Sequence, residues 1–123
     1  MEVVNFYKIG LIIPINGEYI GREYRKFGLQ QSKFANPYKL TKGKPRGDTL
    51  EEYKQWLWIE ILEERITKND LFALKDKILV CFCKPLPCHG DILKAFVEYA
   101  VYREKEFDAK IKAYKEYKLK LGL

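Results

Sequence analysis

The stretch from Lys77 to Asp91 decides the fold, and it reads Lys-Ile-Leu-Val-Cys-Phe-Cys-Lys-Pro-Leu-Pro-Cys-His-Gly-Asp. Its first part, residues 77–83, is continuous and apolar, which predicts a central strand buried on both faces. Two prolines then stiffen a loop, and a helical pattern begins at His89. A strand, a loop and a helix in this order are typical of α/β proteins, which bind ligands where such a strand ends.

Three further strands are predicted in the first part of the chain. They lie near residues 2–8, 10–15 and 18–22, where short segments are rich in β-branched and aromatic residues. Asn16-Gly17 stands between the second and the third and is a two-residue hairpin signal. Residues 23–47 show no sustained period, so we expect a long irregular segment there, of the kind that is often functional.

Three helices are predicted after this segment. Asp48 and Glu51 have the spacing of an N-cap and its reciprocal carboxylate, which predicts a helix over residues 49–66. Asn69-Asp70 is expected to cap a short second helix that runs through Leu74. Apolar residues at helical spacing predict a third helix from His89 onward.

The length and composition predict one folded core. A chain of 123 residues, 47% of them hydrophobic, forms about one domain. We expect residues 1–102 to form a single α/β domain, a small three-layer, Rossmann-like sheet flanked by helices. A second apolar stripe runs from Phe107 to Leu121, so residues 103–123 are expected to form a helical extension, either folded back on the domain or used to form a homodimer.

The positive charge of the chain is concentrated in one segment. The net charge is +6, and residues 22–46 alone contain eight basic residues and a single glutamate. Aromatic residues are interleaved with them, a composition that suits contact with phosphates and bases. A solvated loop kept soluble by its lysines is the alternative interpretation.

The cysteine count and the hydropathy of the chain indicate the cellular compartment of the protein. Three cysteines are an odd number, and two are spaced as Cys-x-Cys, so reduced thiols in a cytoplasm are favoured over a disulfide framework. No apolar run approaches the roughly 18–20 residues of a membrane span, and the first residues lack a secretory signal. We therefore expect a cytoplasmic protein that does not associate with membranes.

Residues 81–91 contain every cysteine and the single histidine of the chain. A helix that begins near His89 leaves the amides of residues 90–92 without intrahelical partners, and its dipole favours an anion or a thiolate there. This predicts Cys88 as a nucleophile of lowered pKa, with His89 as base or acid and Asp91 beside them. In the alternative interpretation, Asp91 caps the helix and occupies these donors.

Metal binding is a second interpretation of the same residues. Cys81, Cys83, Cys88 and His89 offer the sulfur and nitrogen ligands that zinc prefers. The spacing is less favourable, because strand residues two apart lie about 6–7 Å from each other on one face and adjacent residues such as Cys88 and His89 usually diverge. Cys81 is alternatively a buried core thiol.

The candidate ligand-binding residues come from two segments. Arg22 and Lys33 are expected to reach the crevice from the basic loop, together with Asn36, whose amide is presented by the extended geometry that precedes a proline. Ser32 is assigned to phosphate or sugar contact. Cys83 and Gly90 complete the predicted ligand-binding set.

Several separated segments together resemble one known family. They are Val3-Val4-Asn5, Tyr19-Ile20-Gly21-Arg22, residues 32–38, Tyr53 with Trp56-Leu57, and the motif of residues 81–91. Over about residues 2–100 the chain resembles domain of unknown function family 4326, found in bacterial, archaeal and phage genomes. The resemblance implies a small α/β fold with a shared pocket, in a protein that is intracellular and in some cases virus-encoded, and it brings no established activity.

The sequence thus predicts an α/β domain whose polar pocket binds a nucleotide, a nucleic-acid end or another phosphorylated ligand. In its stronger form the hypothesis adds a chemical alteration of that ligand by Cys88 and His89. One rival is a non-catalytic DNA- or RNA-binding module that uses residues 22–46 and the lysine-rich C-terminal helix. The other is an interaction domain stabilised by zinc.

Overall fold

Three parallel strands form the centre of the fold. The computed structural model describes residues 1–39 and 46–122. In these ranges the strands are β1 (Glu2–Asn5), β2 (Gly17–Tyr19) and β3 (Ile78–Cys81), and the helices are α1 (Arg46–Leu62), α2 (Lys68–Phe72), α3 (His89–Tyr102) and α4 (Glu104–Lys120). A short 3-10 turn covers Arg25–Phe27. The predicted α/β class is confirmed.

β3 is the central strand of the sheet, as its apolar sequence predicts. The strand order is β1-β3-β2, and both neighbours run parallel to β3. Leu79 and Val80 are fully buried, one toward each face. Because all three strands run the same way, their carboxyl ends lie at one edge of the sheet, where parallel sheets bind ligands.

The predicted hairpin at Asn16-Gly17 is wrong, because β2 pairs with β3 and not with a preceding strand. The Asn16 carbonyl accepts a hydrogen bond from Ile78 N (2.8 Å), and Asn16 Nδ2 donates to Asp76 O (2.8 Å). These contacts fix the start of β2 beside the start of β3. No strand forms over residues 10–15, where Gly10 and Leu11 adopt positive φ values of 89° and 65°, and the first strand ends at Asn5.

The two faces of the sheet are covered differently. All four α-helices contribute buried residues to one core that includes Leu79. Phe6 and Leu29 cover the opposite face, at Val80, together with partly buried residues of the segments that follow β1 and β2. The third layer is therefore built from loops rich in aromatic residues.

The helix boundaries depart from the predictions at several ends. α1 begins before the predicted cap Asp48 and ends at Leu62, where Glu64 adopts a positive φ of 60°. α2 is capped by Thr67 and not by Asn69-Asp70: Thr67 Oγ1 accepts from Asp70 N, and Asp70 accepts from Thr67 N. None of the helices in the described part of the chain is long and apolar enough to cross a membrane.

The C-terminal helix folds back on the rest of the molecule. Arg103, with φ −127° and ψ 47°, breaks the helical pattern between α3 and α4 without a glycine or a proline. The turn brings Phe107 into complete burial against Trp58 and Tyr99. Tyr114 also bonds to Glu63 at the end of α1. The predicted division between residues 102 and 103 stays a prediction.

Candidate functional site

The three cysteines converge where β3 turns out of the sheet. β3 ends at Cys81, and residues 82–88 return the chain to the start of α3. The three Sγ atoms lie within 4.8 Å of one another, and those of Cys81 and Cys88 are 3.0 Å apart. All three are free thiols. The loop thus brings together residues that an extended strand would hold about 6–7 Å apart.

Asn5 holds this loop in place. Its Nδ2 donates to the carbonyl oxygens of Phe82 (3.1 Å) and Lys84 (2.8 Å), and its Oδ1 accepts from Tyr7 N (2.9 Å). Asn5 ends β1 beside the end of β3, so its amide is the group that positions the backbone on both sides of Cys83. This role was not predicted, because Asn5 lies in the middle of the predicted strand 2–8 and the observed strand ends at Asn5.

His89 is buried at the start of α3, with one ring nitrogen turned toward the thiols. Its Nε2 lies 2.7 Å from the carbonyl oxygen of Ile20. Because a carbonyl only accepts, Nε2 carries the proton, and Nδ1 of the neutral ring keeps its lone pair. That Nδ1 lies 3.6 Å from Cys88 Sγ. The ring of Tyr53 packs edge-on against the imidazole at 5.1 Å.

The pKa values of Cys83 and Cys88 shift in opposite directions. Hydrogen bonds from the side chains of Cys81 and Cys88 hold the pKa of Cys83 well below its usual range. The pKa of Cys88 is raised instead, by its hydrogen bonds to Cys81 and Cys83 and by burial. The prediction of a lowered pKa at Cys88 is therefore wrong, because its surroundings favour the protonated thiol.

The sequence predicts free amides at the start of α3, but those of Gly90 and Asp91 have partners in the structure. Gly90 N donates to Cys88 Sγ (3.3 Å), and Asp91 N donates to the Cys88 carbonyl (2.9 Å). Asp91 accepts from Cys88 N (3.2 Å) and forms an ion pair with Lys84 (2.6 Å). Asp91 thus caps the helix, as in the alternative interpretation, but through the Cys88 amide and not through residues 90–92.

A hollow of about 250 Å³ opens beside this corner, above the carboxyl ends of β2 and β3. Cys83 and His89 lie in its wall together with four aromatic side chains, those of Tyr19, Tyr24, Tyr38 and Phe82. Tyr24 and Tyr38 belong to the basic segment that was predicted to contact phosphates and bases, whereas Tyr19 and Phe82 were not assigned to a site. Their spacing in the sequence gives no common period, so only the fold brings them together.

Arg22 and Asn36 line the hollow, as predicted. Arg22 Nε donates to the Asn36 carbonyl (2.9 Å), and Asn36 Oδ1 accepts from Tyr38 N (2.9 Å). These bonds use one guanidinium nitrogen and one amide oxygen. Among the described residues, none bonds to the two Nη atoms of Arg22 or to Nδ2 of Asn36.

Three residues of the predicted ligand-binding set lie outside the wall of the hollow. Lys33 forms an ion pair with Asp70 at the start of α2 (2.8 Å), because that carboxylate is its nearest anionic partner. Ser32 Oγ accepts from Phe34 N (3.0 Å) and so supports a turn. Gly90 is buried, and a Cβ there would lie 2.7 Å from Val3 Cγ1, so its role is to let α3 approach the sheet. Lys42 and Lys44 of the basic segment lie outside the described residues.

Comparisons with known proteins agree with the resemblance of the segments. The model of a family described as "Domain of unknown function (DUF4326)" matches residues 5–99. An "Uncharacterized 12.4 kDa protein in nrdA-td intergenic region" of Enterobacteria phage T4 is 27% identical over 95 residues, which cover 77% of this chain and 86% of the phage protein. No solved structure matches.

Proposed function

Since the chain belongs to the DUF4326 family, for which no activity is named, we propose that it is a nucleotide-binding domain whose ligand occupies the hollow above β2 and β3. The observation that carries the proposal is the position of Arg22. Its guanidinium is fixed at the wall of a hollow that also presents aromatic rings and the amide of Asn36.

Arg22 is prepared to bind a phosphate. Its Nε bond to the Asn36 carbonyl orients the planar guanidinium, and the two Nη atoms remain as donors. An arginine held in this way loses less conformational freedom on binding, and its forked donors match two phosphate oxygens. Glu23 lines the same hollow, but its side chain is 51% exposed, so solvent screens its charge.

The aromatic residues provide a surface for a base. The rings of Tyr24 and Phe82 pack at 5.4 Å with an interplanar angle of 37°, and the Phe82 ring also contacts Tyr19. Every nucleobase has a π-face that stacks on such rings. At about 250 Å³ the hollow is closer in size to a small-molecule site than to a groove for a nucleic-acid duplex.

Cys83 and His89 also line the hollow, within reach of a bound ligand. Catalysis by Cys88, His89 and Asp91 stays a prediction.

Substitution of Arg22 tests the proposal. We expect nucleoside monophosphates to bind with one site per chain in calorimetric titrations, and the corresponding nucleosides to bind more weakly. Arg22→Gln is expected to lower the affinity for the monophosphates by about tenfold to a hundredfold, which corresponds to the loss of one or two charge-assisted hydrogen bonds. The nucleosides, which lack the phosphate, are expected to change little.

Arg25→Gln is the matched control. Arg25 lies three residues away with a side chain 89% exposed, and it does not line the hollow. Arg25→Gln changes the net charge as much as Arg22→Gln does, so it controls for long-range electrostatics. Its affinity for the monophosphates should lie within about twofold of that of the unmodified protein. Equal losses in both variants, or no saturable binding of any monophosphate, would refute the proposal.

The rival, a surface that binds DNA or RNA without catalysis, gives a different result in the same experiment. Long oligonucleotides would then bind with a steep dependence on salt, and Arg22→Gln and Arg25→Gln would reduce the affinity alike. Two of the six lysines of α4 form ion pairs in the described part of the chain, Lys115 with Glu64 and Lys118 with Glu63. Their charges are thus partly offset within the molecule.

A further inference from the structure

We propose that Cys81, Cys83 and Cys88 bind a zinc ion, with Nδ1 of His89 as the fourth donor. The proposal rests on the arrangement of these four side chains and is independent of the proposed nucleotide. Three sulfurs and one imidazole form a donor set that zinc prefers. Cys83 and His89 also line the hollow, so the ion would lie at its floor.

The three sulfurs lie close enough to share a tetrahedral ion, and His89 Nδ1 approaches one of them. Zn–S bonds of about 2.3 Å place two sulfurs about 3.8 Å apart, and a sulfur and a nitrogen ligand about 3.5 Å apart. The three Sγ atoms lie within 4.8 Å of one another, and Cys88 Sγ lies 3.6 Å from His89 Nδ1. The 3.0 Å separation of Cys81 and Cys88 is the one that must widen.

The histidine is held as a metal-binding histidine usually is. Such residues donate their other ring N–H to a carboxylate or a backbone carbonyl, which fixes the tautomer and the orientation of the ring. Nε2 of His89 lies 2.7 Å from the Ile20 carbonyl. The lone pair of Nδ1 is therefore available on the side of the thiols without any rotation of the ring.

Backbone amides and one lysine favour negative charge at the sulfurs. Gly90 N donates to Cys88 Sγ (3.3 Å). The Cys81 side chain also has backbone hydrogen bonds with Cys83 and Lys84. Three thiolates and one Zn²⁺ leave a net charge of about −1 at the site, and the ammonium of Lys84 lies near enough to interact with Cys81 and Cys88.

A change of backbone conformation between Cys88 and His89 explains how these two adjacent residues can bind the same ion. Cys88 is the N-cap of α3 in an extended conformation, with φ −138° and ψ 148°, whereas His89 is already helical. The change of conformation between them turns both side chains to the same side, which overcomes the divergence expected from the sequence. The buried position of Cys81 is compatible with this role, since in a structural zinc site protein ligands fill all four coordination positions.

Metal analysis of the untagged full-length protein tests the proposal. Purified under reducing conditions, it should retain one zinc per chain after gel filtration, and a strong chelator should remove it. Co²⁺ added to the metal-free protein should produce the thiolate-to-cobalt absorption and the visible bands of a tetrahedral site. This second measurement remains informative if single cysteine variants fail to fold.

Substitutions distinguish the proposed zinc ligands from neighbouring residues. Cys83→Ser and Cys88→Ser should each abolish stoichiometric zinc. His89→Gln should weaken the metal by at least about tenfold to a hundredfold, the loss seen when even a group behind a ligand is removed. Leu86→Ala is the control in the same loop, because Leu86 is exposed and has no part in the proposed site, and it should keep one zinc per chain.

Three results would overturn the proposal. The first is a metal-free protein in which Co²⁺ gives no thiolate absorption. The second is a mass two hydrogens lower than that of the reduced chain with no bound zinc, which would identify a Cys81–Cys88 disulfide formed by oxidation. The third is an unchanged metal affinity in His89→Gln, which would exclude the four-donor set.

Discussion

Phe107→Ala is expected to lower the free energy of unfolding by about 3–5 kcal/mol, the cost of deleting a buried aromatic side chain. Phe107 is fully buried, and its ring lies 6.1 Å from those of both Trp58 and Tyr99. The substitution leaves a cavity between α1, α3 and α4. Urea unfolding followed by circular dichroism measures the effect.

Leu119→Ala is the matched control for Phe107→Ala. It lies on the same helix but is 76% exposed, so its removal should change stability by less than about 0.5 kcal/mol. A loss at Phe107 no larger than that at Leu119 would mean that α4 does not pack on the domain in solution. Self-association through α4 would then become the better interpretation of its apolar stripe.

Asn5→Ala is the second substitution for which we expect a large loss of stability. It removes the two hydrogen bonds to the carbonyls of Phe82 and Lys84 and the one from Tyr7 N. At about 0.5–1.5 kcal/mol each, their loss should cost about 2–4 kcal/mol. The loop that carries Cys83 also loses its attachment to β1, so alkylation of this thiol in the folded, metal-free protein should become faster.

Asn16→Ala is the control for Asn5. Asn16 Nδ2 also donates to a backbone carbonyl, that of Asp76 (2.8 Å), but it is exposed and far from the cysteines along the sheet. We expect a loss of about 0.5–1 kcal/mol and no change in the alkylation rate. If both variants alkylated at the same rate, Asn5 would have no positioning role.

The parts of the fold that sequence analysis predicted correctly are those with strong local patterns. Residues 78–81 are apolar without interruption, and the central strand follows from that pattern alone. The start of α3 at His89 likewise follows from the apolar spacing after the proline loop. Neither prediction requires knowledge of a distant partner.

The predictions fail where a contact with a residue far along the chain determines the structure. Asn16-Gly17 is a local hairpin signal, but residues 76 and 78 bind Asn16, 60 or more positions along the chain. Lys33 was expected in the pocket, yet Asp70 attracts it across 37 positions. A pattern within a few residues contains no information on these competing contacts.

The structure brings together several of the residues assigned to the candidate site, and their functional roles stay predictions. Arg22, Asn36, Cys83 and His89 all line the hollow. The opposite pKa shifts of Cys83 and Cys88 depend on the path of the proline loop, which brings the sulfurs together. Asn5 escaped notice because its carbonyl partners lie 77 and 79 positions away.

The central claim is that the corner between β3 and α3 opens into a ligand site, and amide NMR during titration with a nucleoside monophosphate tests it most directly. We predict saturable shifts at Arg22, Asn36, Cys83 and His89, with the amides of α4 unchanged. Shifts confined to α4, or to the exposed residues among 25–31, would place the ligand on another surface and contradict the account.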